Sequence, residues 1–588
     1  MKKVIQFSMM IFLSLLFINC KSEKKAQDFK ALTDSYFDGK NELSPLEATL
    51  NGQNEYNDQL VFEMTESYRE KRRTFFEKYL TDLKSIDTTQ LSVEEKNSYD
   101  IIKWESEIGI SLLEQKTNLM PIHQFDGTHL TMGQFASAES AQPFKTEKDY
   151  QNFLKRIDLY AVWIDSAMVY MKKGMKEKVV LPKALTIKII PQFEEIITPK
   201  VEDNLFYSSC KKFPADFTEE QKNTFSKQYA TAISEKLTPQ FQKFITFMKT
   251  EYLPACRSTS GIGSLKGGND LYKIYVKQQT TTDKTPDEIH QLGLKEVARI
   301  RAEMEKVKNQ IGFKGSILEF FNHVRNRKEL MPFKKPEEVL ANFEKIHQII
   351  KPNVDKFFSL QPKTPFIIKR TESFREKTAS AEYMQGSADG TRPGTFYVPI
   401  PDVTTYNYYG DEDLFLHEAI PGHHFQISLQ QENKDLPDFR KYNWFGAYGE
   451  GWALYTESLG KDLGLYTDPY QYFGMLGNEI HRAIRLVVDT GIHTKGWTRE
   501  QAIKYSLENE AESEASIIAE IERYMAWPGQ ALSYKIGQLK ILELRQKAKD
   551  KMEAKFDIKV FHQKVLESGV MPLALLENKI NNWIATGK

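Results

Sequence analysis

Apolar residues recur along most of this chain at intervals of three and four, the spacing of a helix that buries one stripe. Over 59–85 the stripe is Leu60, Phe62, Met64, Phe75, Phe76 and Leu80, set among long polar residues. Over 287–310 it is Leu292, Leu294, Val297, Ile300 and Met304, and Thr285-Pro286 just ahead of it is a helix start signal. Residues 335–359 and 498–526 carry the same period. Within the last of these, Glu508, Glu510, Glu512 and Glu514 read as a solvated helix face. Alternation with a period of two is rare. Its clearest instance is Thr395-Phe396-Tyr397-Val398, behind the turn-prone run Asp389-Gly390-Thr391-Arg392-Pro393-Gly394. The pattern therefore predicts a mostly α protein with a small β element. That element is either a plain hairpin edge or a place where an extended ligand adds as one more strand.

The first twenty residues follow a different rule. Lys2 and Lys3 precede an apolar run from Val4 to Ile18, broken only by Gln6, Ser8 and Ser14, and Asn19-Cys20 closes it. This is the order of a secretory signal, and a cysteine at its end predicts lipoprotein processing, with Cys20 as the lipidated first mature residue. Phe17 and Asn19 depart from the usual lipobox, so a plain signal peptide is the alternative. The run is shorter than the roughly 20 residues of a spanning helix. Residues 21–27 then form a charged tether and 28–588 the folded part, with the chemistry concentrated in about 380–588. The expectation is an exported protein, anchored to a membrane through Cys20 and facing the periplasm or cell surface. In that oxidising setting Cys210 and Cys256 either pair or stay as buried thiols. Three cysteines cannot build a four-cysteine zinc site. The 80 acidic residues balance the 80 basic ones, so the electrostatic footprint of a nucleic-acid binder is absent.

Five of the eleven histidines lie between 417 and 493, and three of them stand in His417-Glu418-Ala419-Ile420-Pro421-Gly422-His423-His424. Behind Gly410, the run Asp411-Glu412-Asp413-Leu414-Phe415-Leu416 starts like a helix, its acids complementing the positive end of the dipole. In an HExxH helix, histidines at i and i+4 share a face, bind zinc, and flank a glutamate that activates water. Here the second histidine is at i+6. In an unbroken helix that is about 240° around and about 9 Å along, too far for a shared ion. Pro421 and Gly422 interrupt the ladder, however, and are expected to insert a wider turn. That turn would bring His423 to the metal and leave His424 a supporting or substrate-facing role. Twenty-seven residues after His423 comes Gly449-Glu450-Gly451-Trp452-Ala453-Leu454-Tyr455-Thr456-Glu457. A helix returning there can offer Glu450 as a third ligand, leaving a fourth position for water. Its small residues are expected to let the ligand-bearing helices approach. Glu457, seven residues on, is either an acceptor for a ligand histidine or an exposed acid.

The runs 390–397, 417–424, 450–455, 485–493 and 523–537 together resemble the bacterial domain of unknown function 885 family, over nearly the whole mature chain. That family is similar in outline to mostly helical gluzincin zinc peptidases such as thimet oligopeptidase and angiotensin-converting enzyme. The resemblance implies a two-lobed helical fold around a deep cleft, with a small β-sheet near the zinc helix. It also implies His417, His423 and Glu450 as zinc ligands and Glu418 as the base. His493 and Tyr534, in matching segments, are candidate donors to a developing oxyanion. Arg482, Arg485 and Asp489 share one helix face and read as an ion-pair network. Capture of a substrate carboxylate by Arg485 or Arg392 is the functional alternative. The expected activity is zinc-dependent hydrolysis of peptides. The competing expectations are a lipid-anchored binding protein with a structural or inactive metal site, and a zinc hydrolase of another amide or ester.

Overall fold

Helix forms where the apolar stripe is continuous and its first turn is capped. The computed structural model of the chain describes residues 28–372, 376, 379–386 and 392–587. Cys20, the signal and tether, and the turn residues 389–391 lie outside the described residues. The described residues divide into two compact units, one within 28–258 with 437–442, the other within 259–436 with 443–587. Among them no helix is long and apolar enough to cross a membrane.

The first unit is helical. Its longest element, α1 (Glu147–Glu177), opens with a reciprocal cap between Thr146 and Asp149. It buries Phe153, Ile157, Tyr160, Ile164 and Met171 on one stripe. The helix read over 59–85 begins only at Glu66, because Thr65 caps it there. Leu60 and Met64 are buried ahead of it in irregular chain. Cys210 and Cys256 are free thiols, so they do not pair. Cys256 instead meets the hydroxyl of Thr186 at 3.0 Å.

The second unit holds the motifs. Its helices are α2 (Pro286–Ile311), opened by the Thr285–Glu288 capping box, and α3 (Pro336–Phe357). A three-stranded sheet follows, made of β1 (Phe366–Arg370), β2 (Glu382–Met384) and β3 (Gly394–Val398), in the order β1-β3-β2. β3 runs parallel to β1 and antiparallel to β2. The strand legible in the sequence is thus the buried centre of the sheet, and not a hairpin edge. Next come α4 (Asp411–Glu418), α5 (His423–Glu432), α6 (Gly446–Glu457) and α7 (Pro469–Thr494). The stretch 498–526 is two helices, α8 (Arg499–Asn509) and α9 (Glu514–Ala526), followed by α10 (Ser533–Met552). The glutamate run falls across the break between α8 and α9. Glu510 turns inward to Nδ1 of His481 on α7 and is 4% exposed, so the run is not one solvated face. α6 and α10 meet through glycine: a Cβ on Gly451 would stand 2.4 Å from the Cα of Gly537, so only bare backbone fits.

The helix Ile558–Leu566 carries a fully buried histidine. His562 stacks on Phe358 at 4.6 Å, its Nδ1 lies 2.8 Å from the carbonyl of Phe357, and its Nε2 meets the hydroxyl of Tyr455 at 2.7 Å. Burial drives its pKa down to about 3. A depressed histidine contributes stability that is complete above its unfolded value near 6.5 and is lost as pH falls through that value towards the folded one. The loss is expected to reach roughly 4–5 kcal/mol. Melting temperatures at pH 7 and pH 4.5 check it: His562→Gln should narrow the gap between the two, and an unchanged gap would place the acid sensitivity elsewhere.

Candidate metal centre

α4 ends one residue beyond His417. Ala419 leaves the helix (φ −105°, ψ −100°), and the Ile420–Pro421 peptide is cis. Gly422 takes φ −80° and ψ −129°, where a Cβ would lie 1.9 Å from the carbonyl oxygen of His417. No side chain fits there. The Pro-Gly step therefore does not insert a wider turn into one helix, as the spacing suggested. It stops α4 and lets α5 start afresh at His423. The proline supplies no N–H to the ladder, and the glycine backbone packs directly under the carbonyls it leaves. His417 and His423 end up on different helices with their rings 4.8 Å apart and nearly perpendicular.

α6 is laid against this break by three side chains. The indole of Trp452 donates to the carbonyl of Pro421 (2.8 Å), and the hydroxyl of Thr456 donates to that of Leu416 (2.9 Å). Glu457 Oε1 stands 2.7 Å from Nδ1 of His417. The small residues of the motif serve other contacts than expected. Gly451 meets α10, and Gly449 leaves room for Trp444, whose ring atom would come within 2.1 Å of any Cβ there.

This places Glu450 Oε2 3.4 Å from Nε2 of His423 and 3.7 Å from Nε2 of His417. One ligand atom from each of the three residues lies within 4.8 Å of the others. Two ligands on a tetrahedral zinc, at about 2.0–2.1 Å each, stand roughly 3.3 Å apart. The two carboxylate–imidazole separations are close to that, and two imidazoles with a carboxylate are the donor set of a hydrolytic zinc site. Glu457 occupies Nδ1 of His417 and so leaves Nε2 to face the trio. At His423, the amide nitrogen of Gln426 lies 3.0 Å from Nδ1 and donates to the carbonyl of Gly449 at 2.8 Å.

The electrostatics favour positive charge between these groups. Burial opposes ionisation of Glu450, yet the two imidazoles outweigh it and hold the carboxyl below the usual range. Burial likewise opposes charge on His417, but Glu450 and Glu457 raise its pKa well above the ordinary value. Glu418 is 6% exposed beside both imidazoles, and burial pushes it up. Two of the acids that open α4 are buried. Asp411 is buried against Tyr406 and Asn342 and is pushed up to about 8. Asp413, also buried, takes hydrogen bonds from Tyr466 and Asn478 and lies well above its usual range through burial and the nearby Glu457.

The other predicted residues separate. His424 turns away from the trio towards the sheet: Nδ1 meets Tyr383 of β2 at 3.0 Å and Ser428 at 3.3 Å, and the ring packs on Phe366 of β1. Burial brings it down to about 4. His493 has both nitrogens committed to main chain, Nδ1 accepting from Ile262 N–H (3.1 Å) and Nε2 at 3.0 Å from the carbonyl of Tyr524. It is fixed where it is, not poised as a donor. Tyr534 is half-buried, with the Arg485 guanidinium 4.5 Å above its ring. Arg482, Arg485 and Asp489 do not form one network. Arg482 binds Asn478, Arg485 binds Glu520 and Tyr524, and Asp489 accepts from Tyr272 and the Gly529 N–H. Arg392 is exposed ahead of β3, with Nη1 3.5 Å from the sulfur of Met384. Sequence reasoning passed over Gln426, Tyr383 and Trp444. Gln426, three residues after His423 on the same helix, was within reach of spacing; the other two carry no local signal.

A family described as "Bacterial protein of unknown function (DUF885)" matches residues 45–580. Comparison with curated proteins gives no match. Among solved structures, a "putative lipoprotein" from Colwellia psychrerythraea is similar with a TM-score of 0.87 and 28% identity, over 95% of this chain and 99% of that one. A "putative lipoprotein of unknown function" from Shewanella oneidensis shares the fold with a TM-score of 0.73 and 20% identity, over 94% and 99% of the two chains.

Proposed function

The chain belongs to the bacterial DUF885 family of unknown function, and on the chemistry of its site we propose that it is a zinc-dependent peptidase. One observation carries the reading: His417, His423 and Glu450 bring one ligand atom each within 4.8 Å of one another while a second acid, Glu418, is buried beside them and is not one of the three. A structural zinc site tends to close with four protein ligands, and has no use for a spare carboxylate. Zinc bound by the trio would supply an acidified water and a polarised carbonyl. Glu418 supplies the proton traffic. It takes a proton from water as the oxygen adds to the peptide carbonyl, and passes it to the amine nitrogen as the C–N bond breaks. Glu457 and Gln426 hold the two imidazoles in place. Tyr534 remains the candidate donor to the developing oxyanion, because its hydroxyl makes no hydrogen bond among the described residues.

Purified protein tests this with zinc analysis and a peptide-library digest read by mass spectrometry, with and without a chelator. About one zinc per chain is expected, together with cleavage that the chelator abolishes and zinc restores. Cleavage indifferent to chelation would overturn the reading, and hydrolysis of esters alone would move it to another amide or ester substrate.

The same proposal includes export. Both similar solved structures carry the description "putative lipoprotein", and the signal-like run here ends at Cys20. Wild-type protein should partition with membranes and take up labelled fatty acid. Cys20→Ser should do neither, and a Cys20→Ser variant that stays anchored would count against lipidation.

A further inference from the structure

Solvent reaches the three residues of the trio unevenly. The side chain of His417 is 6% exposed, that of His423 11% and that of Glu450 16%, so the opening lies towards His423 and Glu450. Trp444 stands on that rim. Its ring centre is 5.8 Å from that of His423, and it lies over the bare backbone of Gly449, the residue before Glu450. Its neighbours Asn443 and Phe445 are buried, and the carbonyl of Asn443 is pinned by the amide of Gln430 (3.0 Å). Trp444 alone turns outward, with 44% of its surface exposed. Isolated surface apolar residues are ordinary. An indole is not an ordinary one, because its area makes exposure costly and its rigid face makes it an effective contact. Here the backbone also yields: at Gly449 a side chain is absent where the indole packs against the helix that carries Glu450.

We infer that Trp444 is the specificity-determining contact of this site, selecting substrates with an aromatic or large apolar side chain beside the bond to be hydrolysed. The inference rests on the peptidase reading and adds to it a substrate class. A ring seated on the indole lies next to His423, and so next to whatever group the trio holds. Acidic and neutral polar side chains at that position would lose hydration against the indole face with little return. An aromatic pair of this kind, with the area it buries, is expected to be worth roughly tenfold in affinity.

The test uses zinc-loaded full-length protein and two probes that differ only in the side group: acetohydroxamate and 3-phenylpropionohydroxamate. The readout is the ratio of their dissociation constants by calorimetry, with zinc content and circular dichroism measured on the same samples. Wild type should prefer the phenyl probe by roughly tenfold. Trp444→Ala should bring the ratio close to one, and Trp444→Phe, which keeps a ring, should stay between. A wild-type preference that persists in folded, zinc-replete Trp444→Ala would overturn the inference and leave the metal site standing. So would a wild-type ratio of one. If neither probe binds the zinc-loaded wild type, the metal-site reading fails and takes this inference with it.

Discussion

Replacing Glu418 with glutamine is expected to leave folding and zinc content intact and to lower peptide turnover by roughly 10²–10⁴-fold, the contribution of general acid–base catalysis. The expectation follows from where the residue stands. Glu418 ends α4 one residue after His417, so the chain that delivers a ligand delivers this carboxyl too. It is excluded from the ligand trio and is nearly out of solvent. Burial pushes its pKa up, which makes a carboxylate a stronger base than it is in water. Glutamine keeps the volume and a hydrogen-bonding end but cannot take up a proton. Tyr534→Phe should lose less, because a metal ion also stabilises the developing negative charge. Turnover and metal content must be read on one sample. Full activity in zinc-replete Glu418→Gln would remove the mechanism and favour a binding protein whose metal site is inactive.

The second large effect separates two adjacent histidines. His423→Ala should lose zinc, whereas His424→Ala should retain most of it. Nε2 of His423 is 3.4 Å from Glu450 Oε2, within the trio. His424 spends Nδ1 on Tyr383 and Ser428 and packs on Phe366, so it fastens α5 to the sheet. Losing a ligand should weaken zinc by more than the roughly 10–100-fold typical of losing a supporting partner. His424→Ala should show mainly as a lowered melting temperature. Equal zinc retention by the two variants, in a titration against a competing chelator, would sink the ligand assignment.

The long helices were legible because periodicity and capping act locally: Thr285, Pro286 and Glu288 lie within four residues of one another and fix the start of α2. The meeting of His417, His423 and Glu450 was legible because the residue types and the Pro-Gly break constrain what chemistry they can share. How the break does it was not. Pattern alone cannot distinguish a widened turn from a helix that stops and restarts, since that turns on Gly422 packing under the carbonyl of His417. Contacts between distant segments were equally hidden. Nothing near Gly451 announces Gly537, nothing near Glu510 announces His481, and nothing near Trp444 says that it will stand outward. A run of acids looks solvated in any sequence, and only tertiary packing reveals that Asp411, Asp413 and Glu510 are inside.

The restart at His423 also changes what a bound ion does for the protein. The three residues proposed as its ligands sit on α4, α5 and α6, and no continuous helix joins any two of them. A cation there is a rivet through three separate pieces. Its binding free energy then adds to the cohesion of the second unit as RT ln(1 + [L]/Kd), about 2.7 kcal/mol when free zinc exceeds its dissociation constant a hundredfold. On the zinc proposal, thermal resistance should therefore climb with the logarithm of free zinc, and the metal supply of the surroundings would set how durable this protein is.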